Sequence, residues 1–425
     1  MSLWRHRDFL LLWGGQTVSE MGSAVTQLAL PLTAVVLLRA STFQVGLLTA
    51  AATLAFAVIA LPAGALVDRR SKRGIMIACD AARLVIIASV PAAWAAGVLT
   101  MAQLYVVGIT AGVCTVFFDV SYQSYLPSLL RAEHLVDGNG KLGATQSFAG
   151  VVGPGLGGGL VGVFGAAGAM AADAVSYAVS VVSLLGIAHR EVPAGGTRDA
   201  GDAASRPGLR AEIAEGLRFV IRHPILRKVV ACTGTSNLFS SMAIAVEMIF
   251  LVRVLRVPPA WTGLIVAIAM VGGIIGGVLS GWLARRIGSA RIIWFSILVL
   301  GAPQVLPAFA GRGWAVALYP LGFAFVSCSA VVYNVAQVSY RQSVTPPRLM
   351  GRMNAAVRWI VWGTMPLGGL LGGALGTAIG IRPTIAIGLA GSWAAGLWVY
   401  FSPLRRLRDV PAAEQPEAEQ PEAEQ

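Results

Sequence analysis

The stretch FQVGLLTAAATLAFAVIALPAGALVDRRSKR, residues 43–73, decides the fold. Its run Phe43–Val67 carries no charge, and the segment that follows, Asp68–Arg73, is charged at every position except Ser71. An apolar run of about 20 residues, rising ~1.5 Å per residue, crosses the ~30 Å hydrocarbon core of a bilayer as a helix. The stretch therefore predicts a membrane-spanning helix that ends in a charged loop at the membrane surface.

The same pattern recurs along the chain. Of its 425 residues 56% are hydrophobic and 12% are charged, and the mean hydropathy of +0.72 leaves too little polar surface for a soluble protein. The runs lack the two-residue alternation of barrel strands, so we predict an all-α membrane protein with twelve transmembrane helices. The predicted helices are Phe9–Leu38, Phe43–Val67, Gly74–Ala96, Met101–Tyr122, Lys141–Phe164, Ala166–Ala188, Ile225–Val252, Ala260–Ala284, Ala290–Ala310, Gly313–Ala336, Gly351–Ala378 and Pro383–Phe401.

The basic residues predict the orientation, because cytoplasmic loops carry an excess of Lys and Arg. Both termini are expected in the cytoplasm of a multi-pass cell-membrane protein, and the lipid bilayer is a partner. Topology then explains the net charge of +12, and basic residues scattered among short loops argue against nucleic acid as a partner. Of the 32 basic residues, this orientation leaves outside only Arg39, Arg253, Arg256, Arg312 and Arg382.

The longest polar break, His189–Arg222, divides the predicted helices six and six. Within it, Leu209–Ile221 has one apolar helical face, which is typical of an amphipathic helix at the membrane surface, although a plain connector fits equally well. The chain end lacks apolar residues and is expected to be disordered. The predicted domains are a helix bundle at residues 1–190, a cytoplasmic linker at 191–222, a second bundle at 223–403 and a tail at 404–425.

The two halves echo each other, as internal repeats do in secondary transporters. GALVDRRSKR at 64–73 follows the second helix, and GWLARRIGSAR at 281–291 follows the eighth. The first of these loops resembles the signature of the major facilitator superfamily, which implies two pseudo-symmetric six-helix bundles. Three further segments resemble its drug-proton antiporter branch, related to macrolide and siderophore exporters: WRHRDFLLLWGGQTVSEMG (4–22), FFDVSYQSYLPSLL (117–130) and TPPRLMGRMNAAVRW (345–359).

The loop between the second and third helices is a candidate conformational latch. Asp68 could accept hydrogen bonds from a helix N-terminus, and the resemblance implies the start of the eleventh helix, near Gly351, as its partner. Asp119 is placed to meet Arg69 or Arg73. Such contacts form in one state and break in the other, whereas the alternative is that the basic residues only enforce orientation. The candidate latch residues are Gly64, Asp68, Arg69, Lys72, Arg73 and Asp119.

Polar stripes on the first and seventh helices predict a central cavity for a substrate. In the first helix, polar residues recur at a spacing of four, three and four, so they share one helical face that lipid would reject. Polar and aromatic residues on the tenth and eleventh helices predict an amphipathic wall, although tryptophan is also common in packing. The candidate cavity residues are Gln16, Ser23, Gln27, Thr233, Asn237, Ser240, Tyr333, Asn334, Gln337 and Trp362.

Two ionisable residues are candidates for proton coupling. Glu20 lies near mid-depth of its helix, where a carboxyl could carry the coupling proton; its alternative role is packing. Arg358 could pair with a carboxylate of the substrate or protein, or could reach the surface. Asp80 and Arg83, three residues apart on one helix, are expected to neutralise each other. Asp173 and Glu247, nearer the outer ends, are expected in hydrated structural roles.

Other sites are not expected. The run Gly153–Gly158 has dinucleotide-type spacing but lies inside an apolar span, so Gly153, Pro154 and Gly155 are predicted to kink and pack a helix. The sequence lacks the phosphate-binding lysine loop that would indicate ATP as a partner. It also lacks the HExxH and GxSxG motifs that would indicate an enzyme. No cofactor is expected. A metal site or a disulfide is not expected either, because no two of the cysteines Cys79, Cys114, Cys232 and Cys328 lie close together in the sequence.

The sequence therefore indicates a secondary active transporter, expected as a monomer. The resemblance implies proton-coupled efflux of a bulky amphipathic small molecule, such as a drug, an antibiotic or a siderophore-like compound. The residues alone do not set the direction, so a proton- or sodium-coupled importer of a small metabolite remains an alternative. A second alternative is a sensor or lipid-handling membrane protein that does not transport.

Overall fold

The computed structural model describes residues 3, 6–67, 70–189, 209–346 and 349–409. These residues form helices and contain no β-strand, which confirms the all-α prediction. Asp68 and Arg69, most of the predicted linker and most of the predicted tail lie outside the described residues. The α-helices are α1 (Arg7–Leu32), α2 (Thr42–Val67), α3 (Lys72–Ala95), α4 (Met101–Leu129), α5 (Ala132–Leu185), α6 (Leu209–Arg222), α7 (Leu226–Ile249), α8 (Pro259–Ile287), α9 (Arg291–Phe295), α10 (Leu318–Val344), α11 (Met350–Ala378), α12 (Ile381–Ala394) and α13 (Leu397–Tyr400).

Short π- and 3₁₀-helical segments extend several of these helices. A π-helical turn at Thr33–Leu37 continues α1, and another at Phe250–Val254 continues α7. After α9 the chain continues as a π-turn at Ser296–Leu300 and a 3₁₀-helix at Ala302–Phe309. One glycine, Gly301, and two prolines, Pro303 and Pro307, interrupt regular α-helical hydrogen bonding in this segment. The ninth crossing is therefore irregular, in keeping with the composition of this segment.

Helix α5 contains two membrane crossings that meet at Gly165. This residue has φ 72° and ψ 170°, a backbone conformation that favours glycine, so the chain turns there. Helix α1 packs between the two arms, which run in opposite directions along it. From the start of α1 to its end, the contacted residue numbers increase in the first arm and decrease in the second. These pairs are Trp13 with Thr145 and Val25 with Gly157 for the first arm, and Gly15 with Ser183 and Gly22 with Ser176 for the second.

The described chain thus contains the twelve expected crossings, with α5 supplying two and α12 with α13 supplying the last. Nine helical stretches among the described residues, one of them the two-armed α5, are long and apolar enough to span a bilayer. Helix α6 has a different position. It covers Leu209–Arg222 at the edge of the bundle and packs on α11 and α7.

One end of the molecule, which we call the basic end, gathers the starts of α1, α3, α7 and α11. There Asp8 accepts hydrogen bonds from the backbone N–H groups of Ala188 and His189, which joins the start of α1 to the end of α5. At the opposite end, which we call the far end, the Arg253 guanidinium at the end of α7 donates to the carbonyl oxygens of Val35 and Ala40, at 3.2 and 2.8 Å. The last contact crosses from one half of the molecule to the other.

Close glycine contacts join the two halves along two helix pairs. In α2 and α11, a Cβ added at Gly373 would lie 3.0 Å from the Cα of Gly46. In α5 and α8, a Cβ at Gly158 would lie 2.9 Å from the Cα of Gly263. Such approaches are possible because neither helix has a side chain at the contact.

The hydrophobic packing between the halves is uneven along the membrane normal. Near the far end, one continuous cluster includes Val35 and Leu48 from the first half and Val246 and Phe250 from the second. Near the basic end the buried hydrophobic residues form separate clusters, and Phe9 belongs to a cluster of the first half. Among the described residues, each of these clusters contains residues of one half only. The halves are therefore packed together at the far end.

Buried charges in the first half follow the sequence expectation only in part. The Arg83 guanidinium bonds the Asp80 carboxylate, as expected, and lies 4.7 Å from the Phe118 ring centroid and 4.6 Å from that of Tyr177. The prediction that Asp173 is hydrated is wrong, because this carboxylate is fully buried. Gly22 has no side chain to separate α1 from the second arm of α5, so the backbone of α1 packs directly against the Asp173 carboxylate.

One further expectation needs correction. Glu247 is not simply hydrated, since its carboxylate accepts a hydrogen bond of 2.7 Å from the Tyr319 hydroxyl. The packing of α3 on α4 brings the side chains of Cys79 and Cys114 close together, although the two residues are far apart in the sequence. Both are buried free thiols, and their proximity follows from helix packing, which the spacing of cysteines along the chain does not report.

Candidate functional site

A cavity of about 1000 Å³ lies between α2 and α4 of the first half and α7, α10 and α11 of the second. It is large enough for a drug-sized molecule, since ligand pockets typically measure roughly 300–1,000 Å³. Its wall mixes aromatic, aliphatic, amide, hydroxyl and charged side chains. The cavity is the candidate functional site.

The second half supplies most of the wall, and these residues include those that the sequence singled out there. The Thr233 hydroxyl and the Tyr333 hydroxyl are 2.8 Å apart, which joins α7 to α10. Asn237 donates to the carbonyl oxygen of Val361 at 3.3 Å, which joins α7 to α11. The predicted residues that line the cavity are Thr233, Asn237, Ser240, Tyr333, Asn334, Gln337, Arg358 and Trp362.

The first half contributes a narrower face, made mainly by α4. Asp119 and Gln123 reach the cavity from α4, and Phe56 reaches it from α2. The Phe56 ring meets the Trp362 ring edge-on at 5.0 Å between centroids, so an aromatic contact between the halves forms one boundary of the cavity. The Trp359 indole N–H, next to it, donates to the Ala57 carbonyl oxygen at 3.2 Å.

The polar stripe of α1 lies elsewhere. The Ser23 hydroxyl is 2.9 Å from the Tyr177 hydroxyl on the second arm of α5, and Gln16 donates to a Glu20 carboxylate oxygen at 2.9 Å. Gln16, Glu20, Ser23 and Gln27 are absent from the cavity wall. Residues of α1 therefore find polar partners inside their own half. Glu20 nevertheless interacts electrostatically with the Asp119 carboxylate, which does reach the cavity.

The structure places the latch candidates at separate points. Gly64 lies near the end of α2, Lys72 begins α3, and Asp68 and Arg69 lie outside the described residues. Arg73 donates to the carbonyl oxygens of Leu184 and Leu185, both at 2.8 Å, at the end of α5. Asp119 lies on the cavity wall, so the structure does not bring it to Arg73. The latch role stays a prediction.

The glycine and proline run of α5 forms a packing surface. Gly153 contacts Ala24 of α1, and the carbonyl oxygen of Pro154 contacts Gly263 of α8. A Cβ at Gly155 would lie 3.7 Å from the Ala267 side chain, also on α8. The first arm of α5 is thus wedged between α1 of its own half and α8 of the other.

Arg341, which lines the cavity near the end of α10, is not among the residues predicted from the sequence. Its guanidinium donates to the Gln337 side-chain oxygen at 3.2 Å and to the Asn354 side-chain oxygen. A signal was present, because Arg341 is four residues after Gln337 and so shares its helical face. Tyr333, Gln337 and Arg341 follow one another at a spacing of four, so a search one helical turn beyond Gln337 would have identified Arg341.

The cavity holds no arrangement of metal ligands. In the part of the chain that the structure describes, no group of three or more His, Cys, Asp or Glu side chains could hold a metal ion. The wall instead presents two arginines, one aspartate and several amides and hydroxyls around aromatic rings. Such a wall can orient an amphipathic ligand through a few polar contacts while the rings contact its apolar body.

A family model described as Major Facilitator Superfamily matches residues 12–366 of this chain. The chain is 25% identical over 419 residues to the multidrug efflux pump Tap of Mycolicibacterium fortuitum, covering 96% of this chain and 97% of that protein. It is also 25% identical over 393 residues to macrolide efflux protein A of Streptococcus pyogenes, covering 88% and 90%.

Solved structures share the fold at lower identity. A crystal structure of the nucleoside transporter NupG aligns with a TM-score of 0.69 at 12% identity, covering 92% of this chain and 97% of that one. A bacterial homologue of the iron transporter ferroportin, in an inward-facing state, aligns with a TM-score of 0.69 at 17% identity, covering 94% and 98%. These similarities concern the architecture of two helix bundles around a central space.

Proposed function

The chain belongs to the Major Facilitator Superfamily, and from that premise we propose that it is a secondary active exporter of a bulky amphipathic small molecule, driven by proton entry. The observation that carries the proposal is the cavity between the two halves, combined with the packing that closes the halves at the far end. Alternating access requires a central site that is closed to one side of the membrane at a time. The multidrug and macrolide efflux proteins among its relatives support export of a drug-like or antibiotic-like molecule.

The proposed orientation has the basic end in the cytoplasm, because Lys and Arg are concentrated in cytoplasmic loops. Both termini then lie in the cytoplasm of a multi-pass cell-membrane protein, the far end faces outwards, and the contact of Arg253 with Val35 and Ala40 helps to close that side. We extend the proposal to bundles at 1–190 and 223–403, a linker at 191–222 and a tail at 404–425, in a monomer that needs no ATP.

Proton coupling is assigned to the carboxylates of the first half. The guanidinium of Arg83 interacts electrostatically with four carboxylates, those of Glu20, Asp80, Asp119 and Asp173. One cation cannot neutralise four anions in a medium of low dielectric constant, so this cluster is suited to hold protons. Glu20 is the proposed carrier, and Asp119 connects the cluster to the cavity.

Transport by purified protein in proteoliposomes tests this proposal. Labelled amphipathic compounds from a panel of anionic, neutral and cationic antibiotics and dyes are added outside vesicles whose interior is acidic, and the vesicles are selected for protein molecules whose basic end faces outwards. We expect accumulation that depends on the pH gradient and collapses on addition of a protonophore. Glu20→Gln should remove dependence on the gradient while it leaves exchange between labelled and unlabelled substrate. Asp137→Asn, at an exposed ion pair with Lys141, is the control.

Three results would count against the proposal. Accumulation that survives the protonophore, or that Glu20→Gln leaves unchanged, contradicts the coupling assignment. Uptake of the transported compound by intact cells, in place of its extrusion, indicates an importer. Absence of any transport by folded protein, across the whole panel of anionic, neutral and cationic compounds, contradicts the exporter assignment itself.

A further inference from the structure

The charges of the cavity wall are unbalanced. Among the described residues Asp119 is the one carboxylate on the wall, and two guanidinium groups, those of Arg341 and Arg358, line the wall from the opposite half. A guanidinium group carries a positive charge that is spread over a planar fork of N–H donors. The wall therefore carries a net positive charge, and that charge lies on the side formed by α10 and α11.

Arg358 forms no ion pair with a described carboxylate in this state, and the Asp119 carboxylate across the cavity attracts it only over a longer distance. Its side chain is exposed to the cavity, and its guanidinium carbon lies 5.1 Å from the ring centroid of Trp362. Within the described part of the chain no carboxylate comes within 4.0 Å of it. The tryptophan ring supports one face of the guanidinium, which leaves its N–H donors directed elsewhere.

Arg341 is only partly satisfied. Its two hydrogen-bond partners, Gln337 and Asn354, offer neutral amide oxygens, and its buried Nε has no acceptor among the described residues. The positive charges of Arg341 and Arg358 also repel each other. An anion bound between these two guanidinium groups, neither of which forms an ion pair, offsets that repulsion and accepts hydrogen bonds from their N–H groups.

Aromatic surface lies beside this positive region. The Trp362 ring contacts both the Arg358 guanidinium and, edge-on, the Phe56 ring of the other half. Trp359 lines the same part of the wall. A ligand with its anionic end at the arginines would therefore place an attached apolar or aromatic body against these rings.

We propose that the transported molecule is an amphiphile with an anionic group, a carboxylate, sulfonate or phosphate, that binds between Arg341 and Arg358, while its apolar body lies along Trp362 and Phe56. This inference rests on the proposed transport function and names the chemical class of its substrate. Asp119 on the opposite wall repels the anionic group and so favours one orientation of the ligand. The arginines act by direct contact with the substrate.

Two fluorescent probes that differ by one sulfonate test the inference. 8-Anilinonaphthalene-1-sulfonate is anionic, and N-phenyl-1-naphthylamine has the same ring system without the charge. Binding is measured by fluorescence titration of the full chain in nanodiscs of phosphatidylcholine, with protein-free nanodiscs as the background. We expect the anionic probe to bind at least ten times more tightly than the neutral one, as a charge-assisted pair of hydrogen bonds predicts.

The variants separate charge from packing. Arg341→Gln and Arg358→Gln should each raise the Kd of the sulfonate about tenfold and leave that of the neutral probe unchanged. Arg358→Lys, which keeps the charge, should retain most of the sulfonate affinity. The matched control is Arg286→Gln, because Arg286 is also exposed and also lies over a tryptophan, Trp282, at 6.0 Å, but outside the cavity.

The outcomes distinguish this inference from the proposed function. Equal affinity for the two probes, or displacement of the sulfonate by tetraphenylphosphonium at lower concentrations than by tetraphenylborate, would overturn the inference. Arginine-dependent binding of the sulfonate without transport of any anionic amphiphile into proteoliposomes would support the binding site and contradict the exporter assignment. Transport of a cationic drug that Arg358→Gln leaves unchanged would support the exporter and overturn the anionic class.

Discussion

The Arg352 guanidinium donates a hydrogen bond to the Glu215 carboxylate, and this pair fastens α6 to the start of α11. Both side chains are partly exposed, at 30% and 39%, so the pair itself contributes on the order of 0–1 kcal/mol. The next residue, Gly216, rests directly on the carbonyl oxygen of Arg352. Helix α6 is therefore held against a helix that also forms the cavity wall, and its position is coupled to that of α11.

Substitution of Gly216 by alanine should detach α6. A Cβ at this position meets the Arg352 backbone, which cannot move aside as a flexible side chain would. We expect faster proteolysis at the start of α6 and a lower midpoint of thermal unfolding, although alanine favours the helix itself by ~1 kcal/mol. The control is Gly277→Ala in α8, where nothing lies within 4 Å of the added Cβ. An unchanged proteolysis pattern in Gly216→Ala would contradict this packing.

Two adjacent glycines in α5 provide a matched test of the contact between the halves. A Cβ at Gly158 would lie 2.7 Å from the Ala260 carbonyl oxygen, whereas one at Gly159 meets nothing within 4 Å. Gly158→Ala should therefore separate α5 from α8 and lower transport several-fold, because overpacking costs roughly 1–3 kcal/mol. Gly159→Ala should leave transport unchanged. Distances between spin labels on α5 and α8 measure the separation, and equal behaviour of the two variants would refute the proposed contact.

The buried ion pair of α3 should be strongly coupled. Arg83→Gln leaves the Asp80 carboxylate fully buried with the Ser180 hydroxyl as its donor, and we expect a loss of about 3–5 kcal/mol in the free energy of unfolding. The double variant Asp80→Asn, Arg83→Gln removes both charges and should lose less than the sum of the single variants. Unfolding of the four proteins in detergent gives the coupling energy. Additive losses would mean that the two groups act independently.

A pH dependence is expected at the start of α7. Nδ1 of His223 accepts hydrogen bonds from the backbone N–H groups of Ile225 and Leu226, at 3.3 and 3.1 Å, and only an unprotonated Nδ1 can do so. Burial lowers the pKa of His223 below its ordinary value of 6.5. The stabilisation is therefore complete above pH 6.5 and is lost as the pH falls through the lower pKa of the folded protein.

Thermal unfolding between pH 7.5 and 5 measures this effect. The stability of the wild type should decrease by about 1 kcal/mol at the acid end, which is the usual effect of losing a helix cap. His223→Asn, with a side-chain oxygen that accepts at any pH, should reduce the decrease. His223→Ala should show the lower stability at pH 7.5 already. A decrease of equal size in all three proteins would assign it to other groups.

The apolar runs of the sequence predicted the crossings well, because each membrane helix satisfies its own backbone hydrogen bonds. The structure adds detail that depends on single residues. The predicted break between the fifth and sixth helices corresponds to the turn at Gly165 within α5. The segment predicted as the ninth helix is largely π- and 3₁₀-helical, in agreement with its proline content.

The cavity was predicted less completely. The stripe of α7 lines it, but the stripe of α1 does not, and Ser23 instead bonds Tyr177. A polar face that lipid rejects can be satisfied either by a water-filled cavity or by polar groups of a neighbouring helix, and the sequence of one helix is the same in both cases. Arg341, which was not predicted from the sequence, lies on the wall because the packing of α10 against α11 brings it beside Asn354.

The amino-acid sequence alone determined the number of crossings, the division into two similar halves and the expected orientation, since hydrophobicity and charge act on each segment where it stands. Only the tertiary structure decided which polar residues face the cavity and which are buried within one half. It also placed Arg341 and Arg358 on the same wall, and it closed the far end by packing side chains from both halves together. These features depend on contacts between segments far apart in the chain, and such contacts form only when the helices pack.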